Sequence, residues 1–334
     1  MLSLKADTLC LPQLLRRSLE QAWASSAEAL NISAYHYPDP NGEAELLEVL
    51  SRLYPYWKGE RLVTNSATEA LYLSLQALKS ALGERLRVAV RAPCFFGVLR
   101  QLKLLGIAFD EFEQLDELTR LPFTCLLLTS HFAPPYGRSL DAPERTRVEE
   151  ALARNDAYLI EDNPYDPLWF TAPPEPLATG RAIRIGSLSK ILTPVFRLGF
   201  LQTEDALFKT LRSHKITLNL STQSALQQVA ASALTPSYLN TLRAVWHTRA
   251  CRLRVALLDS GIECVEPEGG CFMGLPCDTG LIERAAQAGV LLDENAHYYA
   301  DARARPYARL HFGALEADLL VEAARLLSKV YRPI

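Results

Sequence analysis

The sequence predicts an α/β protein with a mostly parallel central sheet, helices on both faces of it, and a smaller α+β part. Three observations predict this. Between residues 61 and 202, short apolar runs alternate with helical segments, the pattern of a sheet with crossover helices. The runs are flanked by turn residues and are apolar on both faces, as strands covered from both sides are. Beyond about residue 220 the alternation stops, and a long helical stretch gives way to short strands around Pro267, Gly269 and Gly270.

Taken in order, residues 11–30 read as an amphipathic helix and residues 31–41, rich in Tyr, Pro, Asp and Asn, as a loop. Residues 43–54 resume helical spacing, with Leu46, Leu50 and Leu53 on one face. Strands are expected at 62–64, 87–91, 108–112, 124–129, 158–161, 182–185 and 198–202, with helices at 68–82, 95–105 and 143–154. The stretch 222–260 reads as helix, broken near Thr235-Pro236 because proline has no N–H to donate. A chain of 334 residues exceeds one small core. The expected division is a large domain, 31–220, and a small one built from 1–30 and 221–334, with a shared cleft because no flexible linker separates them.

Composition narrows the function classes. With 49% hydrophobic and 22% charged residues, the chain is globular rather than disordered. A formal net charge of -3 gives no attraction to nucleic acid or an anionic membrane. No apolar run spans a bilayer and the N-terminus lacks the order of a signal peptide, so a cytoplasmic protein is expected. The seven cysteines include no C-x-x-C pair and the six histidines no H-x-x-x-H pair, so neither a disulfide framework nor a metal site is expected. Arg243, Arg249, Arg252 and Arg254 lie close on one helix and read as a solvated face.

Three segments carry chemistry. In residues 185–200, Lys190 follows a strand and two hydroxyls, Ser187 and Ser189, in apolar surroundings. Burial disfavours an ammonium, which is what an amine nucleophile requires. The hydroxyls and Arg197 could bind a phosphate together. Taken alone, Lys190 reads better as a surface lysine at a strand end. In residues 65–71, Ser66, Ala67 and Thr68 open a helix after a strand, either as a phosphate site or as an ordinary N-cap. In residues 158–165, Asp162 ends a strand and the Tyr165 phenol follows it. Ligands of α/β sheets bind at that edge, although a capped polar strand end would look the same.

Together these segments resemble the fold-type I pyridoxal phosphate enzymes, specifically the class I/II aminotransferases. The string from Ser187 to Phe200 is similar to the lysine signature S-x-S-K-x-x-x-P-x-x-R-L-G-aromatic, and Glu161 to Tyr165 to E-D-x-P-Y. Residues 66–71 match the phosphate-binding turn, residues 307–312 the late x-R-L-x-F segment, and residues 37–42 the early Tyr-x4-Gly loop. The matches fall in family order over roughly residues 11–330.

The resemblance implies pyridoxal 5′-phosphate as cofactor, held as a Schiff base on Lys190, which then serves as acid and base at the substrate Cα. It implies that Asp162 pairs with the pyridinium nitrogen, and Tyr165 with the ring 3′ oxygen. Ser66, Ala67, Thr68, Ser187, Ser189 and Arg197 would hold the phosphate, and Phe95 would stack on the ring. Arg309 would pair with the substrate α-carboxylate. Tyr37 would reach the phosphate of a neighbouring subunit, which implies a homodimer with sites at the interface. The implied reaction moves an amino group between an L-amino acid and a 2-oxo acid; decarboxylation, β-elimination and racemisation use the same scaffold.

Two departures stand out. The family's N-P-x-G becomes residues 130–137, S-H-F-A-P-P-Y-G, with Pro134 where Asn is expected. His131 or Tyr136 is the expected substitute at the substrate. Ser66 replaces a common Gly. The 130–137 and 37–42 loops resemble the aminotransferase-like domains of GntR/MocR-type regulators, so a non-catalytic sensor of the cofactor or an amino acid is the alternative. Ser187-x-x-Lys190 also fits the S-x-x-K of serine β-lactamases, but the K-T-G element is absent. Tyr35, His36, Tyr298 and Tyr299 are further pocket candidates, and Trp169 reads as packing. A start close to the first helix is expected to leave the site open, with room for a larger or carrier-linked substrate.

Overall fold

The computed structural model describes residues 1–6, 9–33 and 37–333. The N-terminal segment carries β1 (Leu2–Ser3), followed by α1 (Gln13–Ser33) and α2 (Ala44–Leu53). The alternating region then gives β2 (Glu60–Thr64), α3 (Ala67–Leu82), β3 (Arg87–Arg91), α4 (Phe96–Leu104), β4 (Ala108–Phe112) and β5 (Cys125–Leu128). It continues with α5 (Ala142–Asn155), β6 (Tyr158–Asp162), β7 (Ala182–Ser187), β8 (Gly199–Thr203) and α6 (Phe208–Asn219). The seven strands β2 to β8 form one sheet in the order β2-β8-β7-β6-β5-β3-β4. Only β8 runs against its neighbours, so the sheet is mostly parallel as expected.

Strand alternation divides the core. Val88 and Val90 of β3 pack with Leu75 and Leu78 of α3 and Leu102 of α4 on one face. Ala89 turns to the other face, with Val148 and Leu152 of α5. Helix α5 starts on a reciprocal cap: the Asp141 side chain accepts from Glu144 N–H and Glu144 from Asp141 N–H.

The remainder comprises α7 (Ser224–Ala233), α8 (Pro236–Asp259), β9 (Phe272–Pro276), α9 (Leu281–Gln287), β10 (Val290–Leu291), β11 (Tyr307–His311) and α10 (Ala317–Ser328). The break at Thr235-Pro236 is a helix start: Thr235 Oγ1 accepts from Tyr238 N–H, with proline in the first turn. Strands β9 and β11 pair antiparallel, α8 packs on α10, and α1 packs on α7. One apolar core joins these helices, α2, and the segment from Leu188 to Leu198. At the N-terminus β1 pairs in parallel with β10.

One expectation fails on α8. Arg249 is not solvated: it is 1% exposed, donates to the Cys10 carbonyl at 2.7 Å and pairs with Glu316 at 2.5 Å. Arg243 lies over the Trp169 ring at 4.1 Å, while Arg252 and Arg254 pair with Asp318 and Glu266. Among the described residues, no helix is long and apolar enough to cross a membrane and no cluster of His, Cys, Asp and Glu could hold a metal ion.

Candidate active site

The sheet register gathers the chemistry-bearing segments. Asp162, the last residue of β6, lies opposite Ile185 on β7. Ser187 at the end of β7 lies opposite Gly199, and Gly199 opposite Thr64 at the end of β2. The phosphate-turn residues, the Asp162 strand end and the Lys190 segment therefore share one edge of the sheet, the edge where α/β folds bind ligands.

Asp162 is aimed by its neighbours. Successive strand residues point to opposite faces. Glu161, fully buried, takes Arg184 Nε at 3.1 Å and the Ser130 hydroxyl at 2.6 Å. Asn163 Oδ1 accepts from Ser130 N–H at 3.0 Å. Both are anchored away from the cleft, which presents Asp162 to it. Among the described residues Asp162 has neither ion pair nor side-chain hydrogen bond, and desolvation pushes its carboxyl up to about 7. A cationic ring nitrogen is the kind of partner that such a carboxylate lacks.

That shift has a signed consequence. An unfolded Asp titrates near 4, so between about pH 4 and about pH 7 the folded state holds more protons than the unfolded one. Stability contributed by this group falls as pH rises through that window and is flat above it. Thermal midpoints of the cofactor-free protein are expected to decline over the window, and Asp162→Asn should remove that part of the decline. An undiminished decline in the variant would contradict the desolvated placement.

A cavity of about 320 Å³ opens at this edge. Asp162, Tyr165, Lys190, Arg309, Phe95 and Tyr298 line it. Lys190 Nζ donates to the Ala6 carbonyl at 2.9 Å. Desolvation holds the buried Tyr165 phenol well above its usual range, and its ring meets Phe272 edge-on at 5.7 Å. Arg309, on β11 opposite Gly274, is 7% exposed. Its Nη2 donates to Asp293 Oδ2 at 2.7 Å and to the Tyr298 hydroxyl, and its guanidinium lies over the Phe272 ring at 4.3 Å. Its Nε is buried without a hydrogen-bond partner among the described residues.

The turn at Ser66, Ala67 and Thr68 stands beside this cavity rather than in its wall. Ser66 caps α3, its hydroxyl accepting from Glu69 N–H at 3.3 Å. Ser66 also has φ 147°, a conformation that favours glycine. The replacement for the usual Gly thus exchanges backbone ease for a cap. Ser66→Ala, which loses the cap and keeps the strained φ, is expected to destabilise by about 1 kcal/mol more than Ser66→Gly. Equal denaturation midpoints would refute this. Gly199 closes the turn from below: a Cβ there would lie 2.3 Å from Ala67 N and 2.5 Å from Ser66 C. Ser187 is buried and accepts from Ser189 N–H at 3.3 Å.

Several expected residues lie elsewhere. His131 does not face the cavity. It is 2% exposed, with Nδ1 3.0 Å from Asp166 Oδ1 and Nε2 2.8 Å from the Glu175 carbonyl. Nδ1 also lies 3.0 Å from the Asn163 amide nitrogen, so neither ring nitrogen is left for a ligand. Desolvation, the largest single influence, would lower its pKa, but the Asp166 and Glu161 carboxylates and the Glu175 carbonyl together outweigh it and the net shift is upward. His131 is therefore a structural ion-pair partner and does not replace the missing Asn. His131→Ala is expected to cost about 3–5 kcal/mol, because Asp166 would stay buried without its cation; equilibrium unfolding reads this directly, and a loss under 1 kcal/mol would refute it.

Tyr136 also lies outside the Lys190 cavity. Its ring packs against Gly274 and lies 6.2 Å from Tyr307. With Tyr299 it lines a second cavity of about 470 Å³. The two cavities share Pro93, Thr129, Pro134, Pro135 and Tyr307. Arg197 is exposed and donates from Nη1 to the Pro194 carbonyl at 3.5 Å, and Tyr37 is 85% exposed. Tyr35 and His36 lie outside the described residues. The expected openness at the N-terminus is corrected: Ala6 lines the Lys190 cavity and donates from its N–H to Asp293 Oδ2 at 3.0 Å.

Sequence reasoning missed Asp293 and Ala6. Asp293 follows β10 in a segment without motif spacing, and Ala6 reaches the site only because β1 pairs with β10.

The family model for class I and II aminotransferases matches residues 4–325, and the chain belongs to that family. Its cofactor is pyridoxal 5′-phosphate, and the desolvated Asp162, the Tyr165 phenol and the capped turn at Ser66 fit that group. The aromatic-amino-acid aminotransferase 1 of Thermococcus litoralis is 24% identical, over 93% of this chain and 76% of its own. The uncharacterized HTH-type transcriptional regulator YdcR of Escherichia coli is 31% identical, over 73% of this chain and 54% of its own. The crystal structure of LysN, an α-aminoadipate aminotransferase from Thermus thermophilus, superposes with a TM-score of 0.84 at 22% identity, covering 99% of this chain and 92% of that one. That likeness shows the shared fold.

Proposed function

We propose that the protein transfers an amino group between an L-amino acid and a 2-oxo acid through a Schiff base of pyridoxal phosphate on Lys190. The observation that carries this is the convergence of Lys190, Asp162, Tyr165 and Arg309 on one cavity. When bound, the cofactor supplies an electron-withdrawing ring that lets a proton leave the substrate Cα. Asp162 would hold the proton of the ring nitrogen, the Tyr165 hydroxyl would bond to the ring oxygen, and Phe95 would stack on the ring; all three line the cavity. The N–H groups opening α3 at Ala67 and Thr68, the hydroxyls of Ser66, Ser187 and Ser189, and Arg197 hold the phosphate. The Lys190 amine carries the proton to and from Cα. Arg309, which lines the cavity, orients the substrate through its carboxyl end.

The exposed Tyr37 fits a homodimer in which it reaches the partner's phosphate. The domain division at residues 30 and 220 and a cytoplasmic location belong to the same reading. The test is product analysis after mixing the loaded protein with an amino-acid pool and several 2-oxo acids. New amino acids matching the added oxo acids are expected. Carbon dioxide, ammonia or D-amino acids appearing instead would replace transfer with decarboxylation, elimination or racemisation.

A further inference from the structure

Arg91, the last residue of β3, is a half-buried cation on the wall of the second cavity of about 470 Å³. Its side chain makes neither a hydrogen bond nor an ion pair among the described residues. The other two guanidiniums on that wall are engaged. Arg305 pairs with Glu113 at 3.0 Å and Asp301 at 3.2 Å, and Arg138 lies 3.7 Å from Glu268. The carboxylates of the wall are engaged as well: Glu113 by Arg305, and Glu144 by the Asp141 N–H at the start of α5. Desolvation lowers the Arg91 pKa, and the attraction of Glu144 only partly offsets it. A cation drawn from water without a bonded acceptor is costly. Its planar fork fits a carboxylate through two parallel hydrogen bonds. The nearby Glu113 and Glu144 make a singly charged ligand a better fit than a doubly charged phosphate.

We propose that Arg91 binds the far carboxylate of the substrate, so that the amino acid handled at Lys190 carries an acidic group at the end of a long side chain. This rests on reading the Lys190 cavity as the amino-acid site. Size and position connect the two cavities. The Lys190 cavity, about 320 Å³, has to hold the cofactor and the reacting end of the substrate, which leaves little of it for a long side chain. The second cavity adjoins it at Pro93, Thr129, Pro134, Pro135 and Tyr307, which line both. The three prolines at this boundary have no N–H to leave unpaired, so an apolar chain can pass them. Beyond them Arg91 meets the carboxylate, while Arg309 keeps the α-carboxylate. Arg91 is thus a specificity-determining residue, favouring long dicarboxylic amino and 2-oxo acids over those with apolar ends.

The test uses ligands that cannot react. Hexanedioate, octanedioate and decanedioate are titrated calorimetrically into the protein loaded with pyridoxal phosphate, beside hexanoate, octanoate and decanoate. At least one diacid is expected to bind about tenfold or more tighter than the monoacid of its length, the scale of a hydrogen bond to a charged group. Arg91→Gln should erase that advantage and leave the monoacids within about threefold, while Arg91→Lys should keep part of it. Diacids that bind no tighter than monoacids at every length overturn the proposal in the natural protein alone. An advantage that survives in Arg91→Gln overturns it too, because another group then holds the far carboxylate. 7-Phosphonoheptanoate should bind more weakly than octanedioate; tighter binding overturns the choice of a carboxylate. The amino-acid reading fails separately. Diacids held through Arg91 by a protein that exchanges no amino group with any amino acid would uphold the carboxylate site and remove the proposed function.

Discussion

Replacing Asp162 with Asn is expected to lower turnover by about 10²–10³-fold while leaving the fold intact, the scale lost when one preorganised electrostatic group is removed from an active site. Two opposed effects make this substitution informative. The carboxylate has no stabilising partner among the described residues and is pushed up to about 7 by desolvation, so the cofactor-free protein should gain stability above neutral pH when it is removed. In the proposed cofactor complex the same carboxylate would face the ring nitrogen and hold its proton, which an amide cannot do. The expected result is a variant at least as stable without cofactor and far slower with it. Calorimetric unfolding and steady-state turnover on one preparation measure both. A variant that is destabilised and equally active would reverse the account of this strand end.

Gly199→Ala is the second large effect. The added methyl would lie 2.3–2.5 Å from backbone atoms of Ser66 and Ala67, and backbone atoms cannot rotate aside. Either β8 or the start of α3 must shift, and the phosphate turn shifts with it. A stability loss of about 1–3 kcal/mol is expected, together with a drop of about tenfold or more in cofactor affinity. Gly186→Ala provides the comparison. Its Cβ would strike the Phe200 ring at 2.2 Å, a clash in the core and not at the turn. That variant should lose stability without a matching loss of cofactor affinity. Equal cofactor affinity in the Gly199 variant and the natural protein, measured by titration, would show that the turn does not hold the phosphate.

The inner strands of the central sheet were legible because each is a short, largely apolar run ended by turn residues, and burial on both faces leaves that signature. The Asp162, Lys190 and Arg309 segments were legible because each sits within a contiguous motif at a strand. What escaped depends on partners far away in the chain. His131 looked available to a substrate, but Asp166 and Glu175, 35 and 44 residues on, claim both its ring nitrogens. Arg249 looked solvated, but Glu316 and the Cys10 carbonyl bury it from opposite ends of the sequence. Asp293 carries no motif; it matters because Arg309 on β11 reaches it and the N-terminal segment fixes it. Local pattern thus showed where chemistry could occur, while long-range pairing decided which polar residues remain free for it.

Lys190 is the central residue of the site, and borohydride trapping tests its role most directly. The protein is loaded with pyridoxal phosphate, reduced, digested and mapped by mass spectrometry. The expected result is a visible absorbance band that disappears on reduction, with the phosphopyridoxyl group on Lys190 and no such adduct in Lys190→Ala. An adduct on another lysine, or one that persists in Lys190→Ala, would contradict the account.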